Sequence, residues 1–341
     1  MIPGVLSQLA ELEAILEAGR GHLETEVLCS VATAGATLPV HAVALGGRDP
    51  GLPAVGFFGG VHGLERIGTE VVLAYLQSLV TRLDWDSGLH DALARVRLVF
   101  MPLVNPGGMW LGTRANPQGI DLMRNAPVEA REKVPFLAGG QRLSSRLPWY
   151  RGAAGAPLAA EARALCDFVA RELLVRPFSI AVDCHSGFGV HDRIWFPFAH
   201  TREPIPHLPE LHALFDVYDR THAHHDYLVE PQSAQYLAHG DLWDHLYLRA
   251  ATEPGKIFLP LTLEMGSWRW VKKNPRQLFS RDGMFNPLVA HRRQRVLRRH
   301  PGWLDFVARA AAGWERWLPQ GAARAEHLAL ANARWYGTAA T

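Results

Sequence analysis

Hydrophobic and polar positions alternate along the chain with two different periods, which separate predicted strands from predicted helices. Short apolar runs bounded by turn residues predict strands, and apolar residues spaced by three and four predict amphipathic helices. The predicted strands are 26–33, 38–45, 53–59, 96–104, 178–184 and 256–264. The predicted helices are 67–83, 157–175 and 206–225, with a further helix in the N-terminal segment 1–25.

The order of these elements predicts the fold class. Strands that alternate with helices along the chain are typical of layered α/β proteins. We expect one central α/β domain in residues 26–275. After it, helical patterns in 287–299 and 303–317 predict a helical extension, residues 276–341, packed on the same domain. The segment 126–156 is rich in proline, glycine, arginine and serine, which predicts a long irregular connection.

Composition narrows the classes of protein. Hydrophobic residues make up 48% of the chain and charged residues 20%, which is typical of a folded globular protein and excludes extensive disorder. A formal net charge of +2 argues against a nucleic-acid or anionic membrane partner. No apolar run is long enough to span a membrane, and the N-terminus lacks a secretory pattern. We therefore expect a cytoplasmic enzyme or binding protein, with a homo-oligomer left open.

Four predicted strands end at residues that can carry chemistry. These are His62 with Glu65, then Asn105, then His185, and finally Glu264. In open α/β sheets, ligands bind outside the carboxyl ends of the strands. The sequence therefore predicts that these residues share one crevice.

Two histidines and one glutamate form a candidate zinc site. His62 and Glu65 have the spacing of a ligand pair, and His185 supplies the third protein ligand that a catalytic zinc needs. Glu264, at the end of an apolar strand, is a candidate general base. With 17 histidines in the chain, the first pair alone also fits a turn histidine beside a helix-starting glutamate. His185 alone also fits a hydrogen-bonded residue at a strand end.

Residues between the second and third of these strand ends can serve the same chemistry. Arg114 is a candidate to stabilise an oxyanion, and Arg124 is a candidate to bind a substrate carboxylate through two hydrogen bonds. Asp121 is a candidate acceptor for the second ring N–H of a ligating histidine.

Together these motifs resemble the zinc carboxypeptidase family over about residues 26 to 268. The motifs occur in the order of the family pattern: His62 with Glu65, Asn105–Gly108, Arg114, Gly119–Asn125, His185, Tyr236 and Glu264. The resemblance implies a mixed, twisted sheet of about eight strands between helices, and makes residues 26–275 the catalytic domain. Enzymes of the aspartoacylase and succinylglutamate desuccinylase type are related to this family.

The resemblance also implies the parts of the catalytic site. His62, Glu65 and His185 would hold one zinc ion as cofactor. Glu264 would act first as general base and then as general acid, and Arg114 would polarise the carbonyl that is attacked. The reaction implied is hydrolysis of an amide bond.

Further residues would bind the substrate or support the metal site by the same resemblance. Tyr236 would lie over the substrate, and Arg124 with Asn125 would contact its carboxylate. Asp121 would orient His62. The implied substrate is a small peptide or an N-acyl amino acid.

Two departures bear on which amide is cut. Met123 stands where the family has an asparagine that helps to bind the C-terminal carboxylate, and a thioether cannot donate a hydrogen bond. Trp243, seven residues after Tyr236, would fill the base of the side-chain pocket and favour a small side chain. Gly107-Gly108 replaces Asp-Gly in the turn, which we interpret as a structural change.

The function predicted from the sequence is a zinc-dependent hydrolase that cleaves an amide or peptide bond next to a free carboxylate. An N-acyl amino acid deacylase and a catalytically silent ligand-binding protein on the same fold remain alternatives. The basic run 291–300 is interpreted as a solvated helix face rather than a nucleic-acid site. The histidine-rich stretch 222–226 is interpreted as a solvated helix end.

Overall fold

An eight-stranded mixed sheet forms the centre of the computed structural model, which describes residues 6–280 and 282–337. The strands of these described residues lie in the order β1-β2-β4-β3-β5-β8-β6-β7. They are β1 Glu24–Thr33, β2 Ala36–Gly46, β3 Ala54–Gly59, β4 Arg97–Met101, β5 Phe178–Ser186, β6 Arg193–Phe196, β7 Leu228–Pro231 and β8 Ile257–Met265.

Four parallel strands occupy the middle of this sheet. β4, β3, β5 and β8 run in one direction, so their carboxyl ends meet at one edge. β2 pairs antiparallel with β4 on one side, and β6 pairs antiparallel with β8 on the other. After β3, the chain forms β4, which pairs with one edge of β3. It later forms β5, which pairs with the other edge of β3. Such a reversal opens a crevice at the carboxyl ends of an α/β sheet.

Helices cover both faces of the sheet. They are α1 Ser7–Ala18, α2 Arg66–Arg82, α3 Ser87–Leu93, α4 Pro106–Leu111, α5 Ala160–Glu172, α6 Leu208–Thr221, α7 Leu242–Ala250, α8 Trp268–Lys273, α9 Ala290–Ala312 and α10 Gly321–Trp335. Adjacent residues of a strand point to opposite faces. Phe57 contacts Tyr75 of α2, whereas Phe58 contacts Trp243 of α7. These two helices therefore lie on opposite faces of β3.

The strands in the middle are buried on both faces. Every residue of β3, β4 and β5 is buried, as expected for parallel strands covered by helices on each side. Cys184 lies on the face of β5 opposite His185, and burial raises the pKa of its thiol well above the ordinary value. The strand ends that carry polar residues are thus set in a rigid, apolar base.

The fold class predicted from the sequence is confirmed, and each predicted strand and helix of the central domain has a counterpart. Two short strands, β6 and β7, were not predicted, because four residues are too few to display a period. The turn predicted at residues 105–108 is also the start of α4, with Asn105 as its N-cap.

The C-terminal extension differs in its boundaries. Most of the predicted helices 287–299 and 303–317 lies in one continuous helix, α9, with Pro301 inside it, and Trp314–Arg316 forms a separate 3-10 turn. Pro301 removes one backbone donor, but residues on both sides of it share one buried face, which keeps the helix intact. That face contains Val296, His300, Trp303, Leu304 and Val307. A further helix, α10, follows.

Helix α9 packs on α2, β3 and β5 of the central domain. The division of the chain into three segments stays a prediction. Residues 1–5 of the predicted N-terminal helix and 338–341 of the extension lie outside the described residues. No helix in the described part of the chain combines the length and the apolar character that crossing a membrane requires.

Candidate active site

Three side chains with metal-binding atoms converge at the carboxyl ends of β3 and β5. His62 and Glu65 lie in the turn after β3, and Glu65 immediately precedes α2. His185 is the penultimate residue of β5. One donor atom from each lies within 4.8 Å of the others, and all three residues are buried. Two imidazoles and a carboxylate are donors that zinc prefers.

The turn that carries His62 is fixed by the loop after β4. Asn105 Nδ2 donates to the carbonyl of Val61, and Asn105 Oδ1 accepts from the N–H of Gly108. A Cβ atom on Gly63 would lie 2.1 Å from the carbonyl carbon of Gly108, so only glycine permits this approach of the two loops. The Asn-Pro-Gly-Gly stretch singled out in the sequence therefore supports the turn that carries His62.

Hydrogen bonds on both ring nitrogens orient His185. Its Nδ1 lies 2.9 Å from Glu65 Oε2, and its Nε2 lies 2.6 Å from Asp183 Oδ2. Burial alone would lower the pKa of His185, but Asp183 and Glu65 outweigh that effect and raise it well above the ordinary value. A carboxylate on the far nitrogen is the usual support of a metal-ligating histidine, because it fixes the ring and raises its basicity.

Asp183 was not predicted as a site residue. It lies two positions before His185, so the two side chains share one face of β5. The spacing Asp-x-His at the end of a predicted strand was the available signal in the sequence.

The contacts of His62 also fit a metal ligand. Arg114 Nη2 lies 2.6 Å from His62 Nε2, and the guanidinium can only donate, so Nε2 carries a lone pair. The ring proton is thereby assigned to Nδ1, which lies 3.8 Å from Asp121 Oδ1. His62 Nδ1 and Asp121 Oδ1 face each other at longer than hydrogen-bond distance, and neither has a hydrogen-bond partner among the described residues. Burial, followed by the charge of Arg114, holds the pKa of His62 well below its ordinary value. A neutral imidazole is the form that binds metal.

Arg114 connects the candidate metal ligands His62 and Glu65 with Asp121. Its Nε donates to Asp121 Oδ2 at 2.8 Å and its Nη1 to Glu65 Oε1 at 3.3 Å. Burial opposes the charge of Arg114, but Asp121 and Glu65 outweigh that effect and raise its pKa. Arg114 is therefore a permanent cation held at the edge of the donor cluster.

Glu264 lies next to His185 in the sheet. The two residues are direct partners in the parallel pairing of β5 and β8. Glu264 Oε1 accepts a hydrogen bond from the backbone N–H of Phe188 at 3.0 Å. Burial, with the negative charge of Glu65 as a second cause, raises the pKa of Glu264 to about 8. Its carboxyl group is thus able to hold or release a proton near neutral pH.

One cavity of about 470 Å³ collects most of the predicted site. It is lined by the following predicted residues: His62, Glu65, Arg114, Met123, Arg124, His185, Tyr236 and Glu264. The size is that of a small-molecule pocket. Its lining also contains residues that sequence reasoning missed: Trp149, Ser186, Phe188, Trp195, Gln232, Gln235, Thr262 and Phe285.

Arg124 is a buried cation in this cavity with few firm partners. Its Nη2 donates to the hydroxyl of Tyr236 at 3.3 Å, and its Nη1 donates to the carbonyl of Met123 at 3.4 Å. Its Nε has no hydrogen-bond partner among the described residues. Asp241 lies 4.0 Å away, and burial together with Asp244 raises the pKa of Asp241 to about 7. The charge of Arg124 is therefore only partly neutralised, which suits an anionic ligand.

Asn125 has a different position from the one predicted. Its Nδ2 donates to the carbonyl of Arg151 at 2.8 Å, and its Oδ1 accepts from the N–H of Ala159. Both ends of the amide are thus used within the protein, and Asn125 does not line the cavity. We correct the expected substrate contact to a supporting role: with Arg151, whose Nε donates to the Arg124 carbonyl, Asn125 joins the two ends of the segment 126–150.

Trp243 also lies elsewhere than expected. Its indole N–H donates to Asp183 Oδ2 at 2.9 Å, and its ring packs on Phe58. It does not line the cavity, because α7 places it beneath the sheet end rather than in the pocket. The predicted role at the base of the side-chain pocket is therefore replaced by a contact behind His185.

The side wall of the cavity is aromatic. Phe188, Trp195 and Tyr236 form a cluster with ring centres 5.2–6.0 Å apart. Trp195 comes from the unpredicted strand β6, which explains why it was missed. The predicted irregular connection supplies Pro135, Ala138 and Trp149 to the rim.

Comparisons with known proteins show the family and the fold of the chain. The family model described as zinc carboxypeptidase matches residues 26–270. Among solved structures, a thrombin-activatable fibrinolysis inhibitor is 19% identical, with a TM-score of 0.65 over 89% of this chain and 71% of that chain. The carboxypeptidase A from Helicoverpa armigera is 17% identical, with a TM-score of 0.62 over 89% of this chain and 71% of that one.

The match to a third structure extends over almost the full length of both chains. The bovine thrombin-activatable fibrinolysis inhibitor, in complex with tick carboxypeptidase inhibitor, is 17% identical, with a TM-score of 0.59. The match covers 94% of this chain and 96% of that one. At these identities the likeness concerns the fold.

Proposed function

The chain belongs to the zinc carboxypeptidase family, and we propose that it is a zinc-dependent hydrolase that cleaves an amide or peptide bond next to a free carboxylate. The family resemblance inferred from the sequence motifs is thereby confirmed. The observation that carries the proposal is the convergence of His62, Glu65 and His185 with Glu264 and Arg114 in one cavity.

We propose that one zinc ion is the cofactor. His62, Glu65 and His185 would hold it, and they are the one group of this kind among the described residues. Bound there, zinc would supply a Lewis acid for the scissile carbonyl and lower the pKa of water. Asp121 and Asp183 would orient the two histidine rings, each from the side away from the donor cluster.

Glu264 would move the protons of the reaction. With a pKa of about 8, its carboxyl group is able to take a proton from the attacking water and return it to the leaving amine. The backbone N–H of Phe188 holds one of its oxygens, which leaves the other free to act. Arg114, a permanent cation beside Glu65, would stabilise negative charge on the carbonyl oxygen.

Arg124 would select substrates that carry a carboxylate. Its terminal nitrogens are held by hydrogen bonds of only 3.3 and 3.4 Å, which leaves them available for a charged acceptor. Tyr236 lies against the same guanidinium, with its ring centre 5.7 Å from the guanidinium carbon. A substrate carboxylate at this point would place the adjoining amide within the same cavity as the zinc ligands.

One observation favours a second candidate, an N-acyl amino acid deacylase. Met123 lines the cavity where a peptide-trimming member of the family has an amide donor. A site that offers the carboxylate one donor fewer suits a substrate whose carboxylate is placed differently.

Location in the cytoplasm and the oligomeric state stay predictions.

A product screen by mass spectrometry tests both candidates. The zinc-loaded protein is incubated with a peptide pool and with a panel of N-acyl amino acids, and Glu264→Gln serves as the inactive variant. Glu326→Gln, on an exposed side chain of α10, is the matched control. Loss of single C-terminal residues supports the peptidase, whereas amino acids released only from the panel support the deacylase.

The same screen can refute the proposal. If neither pool yields a product that disappears in Glu264→Gln, the hydrolase is excluded for both substrate classes. Zinc titration of the same samples then tells a silent metal-binding protein from a chain that binds no zinc.

A further inference from the structure

A second cavity, of about 150 Å³, lies between α8 and the first turns of α9. It shares no lining residue with the candidate active site. Five side chains with a permanent positive charge line it: Arg269, Lys273, Arg292, Arg295 and Arg299. Asp192 is the one carboxylate in the lining.

Most of this charge is not neutralised within the protein. Arg299 forms ion pairs with Asp192, at 3.1 Å, and with Asp226. The other four cations have no carboxylate within ion-pair distance among the described residues. Like charges gathered around a small cavity repel one another, which lowers stability unless a counter-charge is present.

Two of these guanidinium groups are held in place by backbone carbonyls. Arg269 Nε donates to the carbonyl of Val190 at 3.1 Å, and Arg292 Nη1 donates to the carbonyl of Trp270 at 3.0 Å. Each group uses one N–H in this way and keeps its other N–H donors for a ligand. A guanidinium that is already oriented loses less conformational entropy on binding an anion.

The position of the cations on α9 adds to the argument. The N-terminal end of a helix carries a partial positive charge and favours acidic side chains. The first turn of α9 has no acidic residue and no side-chain cap, and His291, Arg292 and Arg293 occupy it instead. Such an arrangement is unfavourable for the free helix and becomes favourable when an anion lies at its end.

We propose that this cavity binds a small oxyanion with two negative charges, of the phosphate monoester class. Four unneutralised cations favour a doubly charged ligand over a monocarboxylate, and the planar guanidinium groups match phosphate oxygens in pairs. This assignment also revises the interpretation of the basic run as a solvated helix face. Part of the run, Arg292, Arg295 and Arg299, lines the cavity, while Arg293 is paired with Glu70.

Calorimetric titration of the zinc-loaded protein tests the proposal, with inorganic phosphate and glycerol phosphate at constant ionic strength. The cavity variant carries Lys273→Glu and Arg295→Glu, both on exposed residues. The control variant carries Lys272→Glu and Arg298→Glu, exposed neighbours on the same two helices that do not line the cavity. Both variants change the net charge equally.

We expect phosphate to bind the cavity variant about tenfold or more weakly, because a hydrogen bond to a charged group is worth at least that factor. The control variant is expected to bind as the unchanged protein does. Any binding of phosphate in the active-site cavity is common to both variants, so it cancels in the comparison. Phosphate should also raise the melting temperature of the control variant by more than that of the cavity variant.

Three results would overturn the proposal. Equal weakening in both variants would mean a general effect of surface charge. Equal affinity for acetate and phosphate would exclude selection of a doubly charged ligand. Tighter binding of a DNA or RNA oligomer than of glycerol phosphate would make the surface a nucleic-acid site. If the cavity variant does not fold, Lys273→Gln with Arg295→Gln replaces it, with the equivalent glutamine control.

Discussion

The two ends of the candidate active site are built in different ways. At the proposed metal end, hydrogen bonds of 2.6–3.0 Å tie His185 to Asp183, Glu264 to a backbone N–H and Arg114 to Asp121. His185 and Glu264 come from the ends of neighbouring strands. At the substrate end, Arg124 makes contacts of 3.3–4.0 Å, and the walls come from loops and from the short strand β6. The geometry needed for the reaction is thus set by the sheet, whereas the geometry that selects substrates is set by connections.

The largest effect is expected from the metal end. Glu264→Gln should lower kcat about 1,000-fold, since general acid–base catalysis contributes on that order, and should leave zinc binding intact. Steady-state kinetics on whichever substrate the product screen identifies would check this. A Glu264→Gln enzyme with more than a tenth of the original kcat would show that another group moves the proton.

Asp183→Asn tests whether the support behind His185 matters for the metal. We expect zinc affinity to fall about 10- to 100-fold, as is usual when the carboxylate behind a ligating histidine is lost. Chelator competition measures this without reference to activity. Trp243→Phe, which removes the indole donor to Asp183 and keeps an aromatic ring beside Phe58, should give a smaller loss in the same direction. Unchanged affinity in Asp183→Asn would mean that the backbone alone positions His185.

Arg124→Gln tests the substrate end. We expect kcat/KM for carboxylate-bearing substrates to fall about 10- to 100-fold, because a charge-assisted hydrogen bond contributes about 1.5–3 kcal/mol. Zinc affinity should be unchanged. The matched substrate is the corresponding carboxamide, for which the variant and the original protein should differ little. A parallel loss on both substrates would argue that Arg124 supports the fold rather than the carboxylate.

Met123→Asn sharpens the choice between peptidase and deacylase. If peptides are the substrates, the restored amide donor should raise kcat/KM on them about fivefold, the effect of one neutral hydrogen bond of about 1 kcal/mol. If N-acyl amino acids are the substrates, the polar side chain should bring no gain. The ratio of the two kcat/KM values, measured before and after the change, decides the matter.

The smallest effect concerns thermal stability and pH. Burial raises the pKa of Glu264 to about 8, so its protonated form stabilises the folded metal-free protein at acid pH. This contribution is complete below the ordinary pKa of the carboxyl group and is lost as the pH rises through about 8. The melting temperature of Glu264→Gln, relative to the original protein, should therefore rise by a few degrees between pH 5 and pH 9. A difference that does not vary with pH would contradict the shifted pKa.

The comparison of the two ends also explains what could be predicted from the sequence. The sequence could predict four site residues because each follows or ends an apolar run, and such a run with a polar residue at its end is a local pattern. These residues are His62, Glu65, His185 and Glu264. Sequence order alone placed these strand ends on one edge, since parallel strands connected by helices share a direction.

The other site features could not be predicted, because they depend on contacts between residues that are distant in the sequence. Trp243 contacts Asp183, sixty residues earlier in the chain, because α7 packs on β8, the neighbour of β5, and not because of any motif around either residue. Asn125 was misplaced because its neighbours match a binding motif, whereas its amide groups meet Arg151 and Ala159. Trp195 and Gln232 lie in or next to four-residue strands, which are too short to show a period.

The ties between the ends of the segment 126–150 have a consequence for protein engineering. The Asn125 side chain donates to the Arg151 carbonyl, and the Arg151 side chain donates to the Arg124 carbonyl. These two hydrogen bonds hold the ends of the segment together, so the segment enters and leaves the domain at one point. A loop closed in this way can be exchanged for one of another length at little entropic expense, since the ends are already joined. The segment supplies Pro135, Ala138 and Trp149 to the rim and none of the proposed zinc ligands. Transplanting it between relatives would therefore be a route to new selectivity with the same hydrolytic machinery.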